Sequence, residues 1–297
     1  MDFLAALGER TLVLDGAMGT ELLARGFGRR ECLELWNVTD PDVVADIHRG
    51  YFAAGSDVVH TNTFGGSRPK LAAYHCQERT QELNEAGARL AVSVRDEVAP
   101  GRIVAGDVSS TGRLLRPMGD MDAGELEEVF AEQVEALARG GVDLVSIETM
   151  FDLEEARIAV KAAREVCRLP VSASLTFNRT PKGYRTMMGV TPQQAVETLL
   201  AQGADVVGCN CTLTADDMIE LVGELRRVTE GPLLAEPNAG QPRLQDGHTV
   251  YDETAEHFAQ GALAIVAQGA DLVGGCCGTN ASFIAALVAA LGRRDDV

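Results

Sequence analysis

Short runs of β-branched and aliphatic residues alternate with longer helical segments along the whole chain. Runs of this length and composition, bounded by Gly and Asp, are typical of buried strands. The predicted strands are 11–15, 57–61, 103–107, 143–148, 171–176, 205–209, 233–236 and 271–275. The predicted helices are 41–54, 78–97, 124–139, 152–167, 192–202, 215–229, 253–268 and 281–292. Two helix starts, Thr191 with Gln194 and Asp152 with Glu155, match the reciprocal capping box.

A short internal repeat relates the even-numbered strands. The pattern Gly-x-Asp-(Val/Leu)-Val occurs at 55–59, 141–145, 203–207 and 269–273. The Gly suits a helix C-terminus and the Asp opens the next strand, so the four copies set a common register. Eight strand–helix units without a composition break predict one α/β domain over 1–297, a (β/α)₈ TIM-type barrel. An open doubly wound sheet is the alternative.

Chemically active side chains recur at one offset, five and six residues after each repeat Asp. The pairs are Asn62-Thr63, Glu148-Thr149, Asn210-Cys211 and Cys276-Cys277. These positions fall at the C-terminal ends of the even strands, the face where barrel enzymes keep their active sites. Strand ends that merely turn polar as they enter loops would explain Asn62 and Thr149. That explanation does not extend to three cysteines and a carboxylate.

The cysteines predict a metal site. Cys276 and Cys277 are neighbours flanked by Gly, so the backbone can leave the strand conformation and present both sulfurs to one ion. Cys211 supplies a third thiolate, and a Cys₃ set fits Zn²⁺ with its fourth position open, as in catalytic sites. Cys209 is a weaker candidate ligand. The remaining cysteines, Cys32, Cys76 and Cys167, are interpreted as ordinary core residues.

An electron-rich zinc with three thiolates is a poor activator of water. It can bind an incoming thiol, release its proton and hold the thiolate as a nucleophile, which favours alkyl transfer to sulfur. Hydrolysis is the competing chemistry. Zinc hydrolases typically use His and carboxylate ligands, and no His-Glu-x-x-His motif occurs in the chain.

Six motifs follow one another along the chain. They are DGAMGTE (15–21), TNTFG (61–65), ET (148–149), NC (210–211), EPNAG (236–240) and GGCCGT (274–279). Together they resemble the zinc-dependent homocysteine S-methyltransferase family, most closely the homocysteine-binding domain of cobalamin-dependent methionine synthase. The resemblance implies a (β/α)₈ barrel with zinc on the three cysteines. It also implies that Asp15 and Glu148 lie near the amino group of homocysteine, and that backbone amides of Ala17 and Met18 lie near its carboxylate.

Three polar residues within these motifs each allow two interpretations of their role. Asn62, Thr63 and Asn238 either line the substrate site or satisfy the backbone of their own loops. Asn62 and Thr63 share the offset of the cysteines, so they are retained as candidate substrate contacts.

Composition narrows the set of partners. The chain has 297 residues, 46% of them hydrophobic, and a formal net charge of −18. This excludes a disordered chain and disfavours nucleic acid and anionic lipid as partners. No apolar run is long enough to span a membrane and no signal peptide is recognisable, so a cytoplasmic protein is expected. Seven cysteines in a reducing compartment disfavour a disulfide framework.

The expected function is zinc-dependent transfer of a methyl group to homocysteine, giving methionine. The resemblance covers the half of methionine synthase that accepts the methyl group. The donor is therefore expected on another molecule, either a separate corrinoid protein or a small onium compound. The alternatives are a non-catalytic zinc barrel within a corrinoid system, and methyl transfer involving a different thiol.

Overall fold

Eight parallel strands form one sheet in the computed structural model, which describes residues 3–28, 31–245 and 248–293. The order around the sheet is β1-β8-β7-β6-β5-β4-β3-β2, and a parallel bridge between Leu14 and Val58 joins its two ends. The (β/α)₈ barrel is confirmed, and the open doubly wound alternative is wrong. The strands are β1 Leu12–Val13, β2 Val58–His60, β3 Ile103–Ser109, β4 Leu144–Met150, β5 Val171–Leu175, β6 Val206–Thr214, β7 Leu233–Asn238 and β8 Leu272–Val273.

One long helix follows each strand, and successive helices pack side by side around the barrel. All eight match the predicted helices to within a few residues. None of the described helices combines the length and apolar character that a bilayer crossing requires. The helices are α1 Pro41–Ala53, α2 Thr80–Val98, α3 Ala123–Gly140, α4 Leu153–Val166, α5 Pro192–Gln202, α6 Ala215–Arg226, α7 Ala255–Ala267 and α8 Ala281–Ala290.

Smaller elements that the sequence pattern does not predict decorate the barrel. An N-terminal helix, Phe3–Leu7, buries Phe3 and Leu7 against apolar side chains of the strands inside the barrel. Burying such side chains stabilises the fold by about 1.5–3 kcal/mol each. The others lie in the connections that follow β1, β2, β5 and β7. They are the helices Met18–Ala24, Leu33–Leu35, Trp36–Thr39, Arg68–Ala72 and Gln77–Arg79, and the hairpins Asn178–Thr180 with Gly183–Arg185 and Arg243–Gln245 with His248–Val250.

The fourfold repeat has a structural meaning at the N-terminal ends of the strands. Its glycines adopt the left-handed conformation, with φ between 91° and 108°, which a side chain would strain. Each following aspartate accepts a backbone N–H from an adjoining strand and pairs with at least one arginine. Charge-assisted bonds of this kind fix the register of neighbouring strands. The aspartates are Asp57, Asp143, Asp205 and Asp271.

The two predicted capping boxes have different outcomes. Thr191 and Gln194 form the reciprocal pair that the spacing predicts. Asp152 caps α4 by accepting the Glu154 N–H at 2.8 Å, but Glu155 does not return to it. The Glu155 carboxylate instead points inward and accepts from the Ser110 hydroxyl and the Thr111 N–H, each at 2.7 Å. A buried carboxylate needs such donors, so Glu155 bonds to the loop after β3 and not to the start of its own helix.

Candidate metal and substrate site

Three cysteine sulfurs meet at the mouth of the barrel. Cys211 lies in the last part of β6, and Cys276 and Cys277 lie just after β8. Their sulfur atoms all fall within 4.8 Å of one another, and the Cys211 and Cys277 sulfurs are 3.8 Å apart. No other cluster of three histidine, cysteine or acidic side chains with metal-binding spacing occurs among residues 3–28, 31–245 and 248–293. The predicted ligand set is therefore assembled as one group.

The backbone departs from regular strand geometry to bring the sulfurs together. Cys211 and Thr212 adopt left-handed φ values of 60° and 58°, which a β-branched residue such as Thr rarely takes. The Thr212 hydroxyl holds this turn by donating to the Phe177 carbonyl at 2.7 Å. On the other side, the Cys276 N–H donates to the Pro237 carbonyl at 2.8 Å. Local strain at this point is typical of a functional site.

Hydrogen bonds among the three cysteines favour a thiolate at Cys277. Hydrogen bonds from Cys211 and Cys276 lower the pKa of Cys277 to about 3, and the Tyr251 hydroxyl adds to this effect. A sulfur that is a thiolate in these surroundings is a ready ligand for a soft or borderline metal ion. Cys209 belongs elsewhere, because it is fully buried in the hydrophobic layer and is not a member of the cluster.

Asp15 lies at the end of β1 and is held by one histidine. Its Oδ2 atom accepts the backbone N–H of His60 at 2.9 Å, and its Oδ1 atom lies 2.8 Å from His60 Nδ1. The other ring nitrogen of His60 lies 3.1 Å from the Ser146 hydroxyl oxygen. Burial disfavours the imidazolium, but the Asp15 carboxylate outweighs it, so the pKa of His60 is raised well above its ordinary value.

Glu148 lies beside the cysteines at the end of β4. Its Oε2 atom accepts from Asn210 Nδ2 at 2.8 Å, and the same nitrogen lies 3.9 Å from the Cys276 sulfur. The side-chain Oδ1 atom of Asn210 accepts the Thr149 N–H at 2.9 Å, which connects β4 to β6. Desolvation of its carboxylate raises the pKa of Glu148. Asn210, which precedes Cys211 in the chain, thus connects the candidate substrate carboxylate of Glu148 to the cysteine cluster.

Two further acids at the mouth were missed by the sequence interpretation. Asp107 and Glu236 are buried in β3 and β7, and burial raises the pKa of both carboxyl groups. Each has one oxygen without a hydrogen-bond partner in the described part of the chain. The Gly-x-Asp repeat precedes only the even strands, whereas these two residues lie near the ends of odd strands. Counting acids at the ends of all eight strands would have found them.

The remaining predicted contacts have structural partners. Asn62 donates to the Leu33 carbonyl at 2.8 Å, and the Thr63 hydroxyl donates to the Asp107 carbonyl, also at 2.8 Å. For these two, the geometry favours the loop-backbone reading. The N–H of Ala17 donates to the Thr279 hydroxyl oxygen at 3.2 Å.

Two residues remain: Met18, a predicted substrate contact, and Asn238, for which the sequence leaves both interpretations open. Met18 begins a short helix, Met18–Ala24. Asn238, by contrast, keeps a buried amide oxygen without a partner in the described chain.

A family described as homocysteine S-methyltransferase matches residues 12–291. The chain belongs to the homocysteine S-methyltransferase family. Its methionine synthase relative from Mycobacterium tuberculosis is 32% identical over 305 aligned residues, which cover 98% of this chain and 25% of the relative. The Mycobacterium leprae methionine synthase is also 32% identical and is likewise 25% covered. The chain thus spans about a quarter of the length of these methionine synthases.

A solved member of the homocysteine S-methyltransferase family has almost the same extent as this chain. The metallated form of the homocysteine methyltransferase MmuM from Escherichia coli superposes with a TM-score of 0.79 at 25% identity. The match covers 97% of this chain and 99% of MmuM. The cysteine cluster fits a metal ion, because its three sulfur atoms lie within range of a single ion.

Proposed function

We propose that the chain binds zinc through Cys211, Cys276 and Cys277 and transfers a methyl group to the sulfur of homocysteine, giving methionine. The observation that carries this proposal is the meeting of the three sulfurs within 4.8 Å at the mouth of the barrel. Sulfur ligation with an open position suits zinc in a catalytic role. Family membership and the likeness to MmuM, named as a homocysteine methyltransferase, support the choice of substrate.

The protein groups have distinct tasks in this proposal. The three cysteines hold zinc, which when bound favours the thiolate form of a thiol and so removes its proton near neutral pH. Glu148 accepts a charge-assisted hydrogen bond from the substrate ammonium. The Asn210 side chain contacts both Glu148 and Cys276, so this carboxylate lies close to the cysteine cluster. Asp15, fixed by His60, adds a second negative charge. The substrate sulfur then attacks the methyl carbon, a sulfur–carbon bond forms, and the donor leaves with the electron pair of its former bond.

Two kinds of methyl donor fit the proposed reaction. The likeness to proteins named methionine synthase fits a corrinoid donor. MmuM matches over nearly its full length, which fits a small methylated donor instead. A non-catalytic role within a corrinoid system finds less support, because both candidate substrate carboxylates are present at the mouth.

The decisive assay incubates zinc-loaded protein with homocysteine and a panel of donors, and measures methionine. The panel contains S-methylmethionine, a methylated corrinoid and betaine. We expect methionine from at least one donor, and none with the Cys276→Ala protein. Cys167→Ala is the matched control, since that thiol lies at the end of α4 and donates to the Ala163 carbonyl at 3.3 Å. Binding of homocysteine without methionine from any donor would favour the non-catalytic alternative.

A further inference from the structure

Strand β7 lies between β6 and β8, the two strands that lead to the three cysteines. Glu236 of β7 pairs in register with Asn210 of β6, the residue before Cys211. The Glu236 side chain is 3% exposed, and its Oε2 atom has no partner in the described chain. A buried acceptor without a donor therefore sits next to the cysteine cluster.

The other two carboxylates with assigned roles are already engaged. Both oxygens of Asp15 face His60, and Glu148 accepts from Asn210. Glu236 differs from them in its Oε2 atom, which has no hydrogen-bond donor among the described residues. Burying a carboxylate without a hydrogen-bond donor is costly, and the nearby charge of His60 offsets that cost only in part, because burial still raises the pKa of Glu236. A cation bound at this point would relieve that cost.

The ligand that fits is a cation with several hydrogen-bond donors, located a short distance from a metal-bound sulfur. The ammonium group of homocysteine has three N–H donors and is separated from the sulfur by three carbon atoms. The positive charge of a bound ammonium group favours the ionised form of Glu236, which only accepts hydrogen bonds, so the two groups are complementary. We propose that Glu236 is a substrate-binding residue that accepts a hydrogen bond from the ammonium group of the amino-acid thiol. This inference rests on the proposed function and adds a residue that recognises the amino group.

The test separates recognition of the amino group from binding of the sulfur. Calorimetry would compare homocysteine with 4-mercaptobutanoate, which lacks the amino group, on zinc-loaded wild-type and Glu236→Gln proteins. One charge-assisted hydrogen bond corresponds to a loss of about ten- to a hundredfold in homocysteine affinity. The affinity for 4-mercaptobutanoate should change by less than about twofold, and the zinc content should not change.

The matched control is Glu253, which lies next to α7. Its Oε2 atom also has no partner in the described chain, and its other oxygen pairs with His257. Glu253→Gln should leave the affinity for both thiols unchanged. If Glu236→Gln loses zinc or unfolds, Glu236→Asp keeps the charge, and its preference for homocysteine over 4-mercaptobutanoate should persist in reduced form.

The outcomes distinguish this inference from the proposed function. Equal weakening of both thiols by Glu236→Gln would make Glu236 a structural residue and overturn the inference. Unchanged homocysteine affinity would overturn it as well, and so would complete loss of the preference in Glu236→Asp with zinc retained. Failure of wild-type protein to bind either thiol would instead count against the proposed function.

Discussion

Thr279 joins the loop that carries two cysteines to the loop that follows β1. Its side chain is fully buried, and its hydroxyl accepts the Ala17 N–H at 3.2 Å and donates to the Cys276 carbonyl at 2.7 Å. A second link runs beside it, from the Gly275 N–H to the Asp15 carbonyl at 3.0 Å. Thr279→Val removes the hydroxyl and nearly preserves the volume. It therefore tests whether this connection holds the two loops together.

The expected cost follows from the atoms left unpaired. Without the hydroxyl, the partly buried Ala17 N–H loses its acceptor, a loss worth about 1–3 kcal/mol. The Cys276 carbonyl still accepts the Thr279 backbone N–H at 3.1 Å, so losing the hydroxyl donor at this carbonyl adds little to the loss of stability. We expect the free energy of unfolding to fall by about 1–3 kcal/mol. In urea titrations the midpoint should fall while the slope stays constant.

Thr279→Ser is the control, because it keeps the hydroxyl and removes only the methyl group. It should retain most of the stability that the valine variant loses. Zinc affinity, measured by competition with a chelator, should decrease in the valine variant, because Cys276 loses one of its positional restraints. Unchanged stability in Thr279→Val, or an equal loss in Thr279→Ser, would refute the reasoning.

Three further perturbations test the site and the core. Cys276→Ala should abolish binding of about one zinc per chain, measured by atomic emission after purification under reducing conditions, whereas Cys167→Ala should retain the metal; full retention in Cys276→Ala would contradict the ligand assignment. Mild oxidation of zinc-depleted protein should form a disulfide between Cys211 and Cys277, whose sulfurs are 3.8 Å apart. Peptide mapping should find this disulfide, and its absence would show that the two sulfurs do not come together in solution. Burial lowers the pKa of His48 to about 4, so its folded state resists protonation and stability should be lost as the pH falls from 6.5 towards 4. His48→Leu should reduce that loss between pH 7 and 4.5 by roughly 2–3 kcal/mol in urea titrations, and an identical pH dependence in both proteins would exclude this role.

The barrel could be predicted because its determinants are local in the sequence. Each strand is a compact apolar run. Gly141 and Gly203 each mark the end of a helix, because glycine adopts the left-handed conformation there without strain. The hairpin at 178–185 and the helix Phe3–Leu7 were not predicted, because they are short and take their stability from packing against the barrel. Glu155 shows the same limit, since its choice between a helix cap and a distant loop depends on tertiary contacts.

The cysteine cluster and Glu148 were accessible to sequence reasoning, whereas three other ionisable residues at the mouth of the barrel were not. Adjacent cysteines between glycines are rare, and their chemistry is specific even before a fold is known. Asp107, Glu236 and His60 are single residues at the ends of ordinary strands, and their meaning arises only when the barrel brings odd and even strands to one mouth. The pairing of Asp15 with His60 likewise joins neighbouring strands that are 45 residues apart in sequence.

The central claim is that three cysteine sulfurs hold a zinc ion that takes the homocysteine sulfur as a further ligand. Zinc K-edge X-ray absorption on the zinc-loaded protein tests it directly, with and without homocysteine. The account predicts three sulfur ligands in the free protein and four in the complex, with release of the thiol proton on binding, counted by calorimetry in buffers of different ionisation enthalpy. A zinc shell that is unchanged by bound homocysteine, with no proton released, would contradict it.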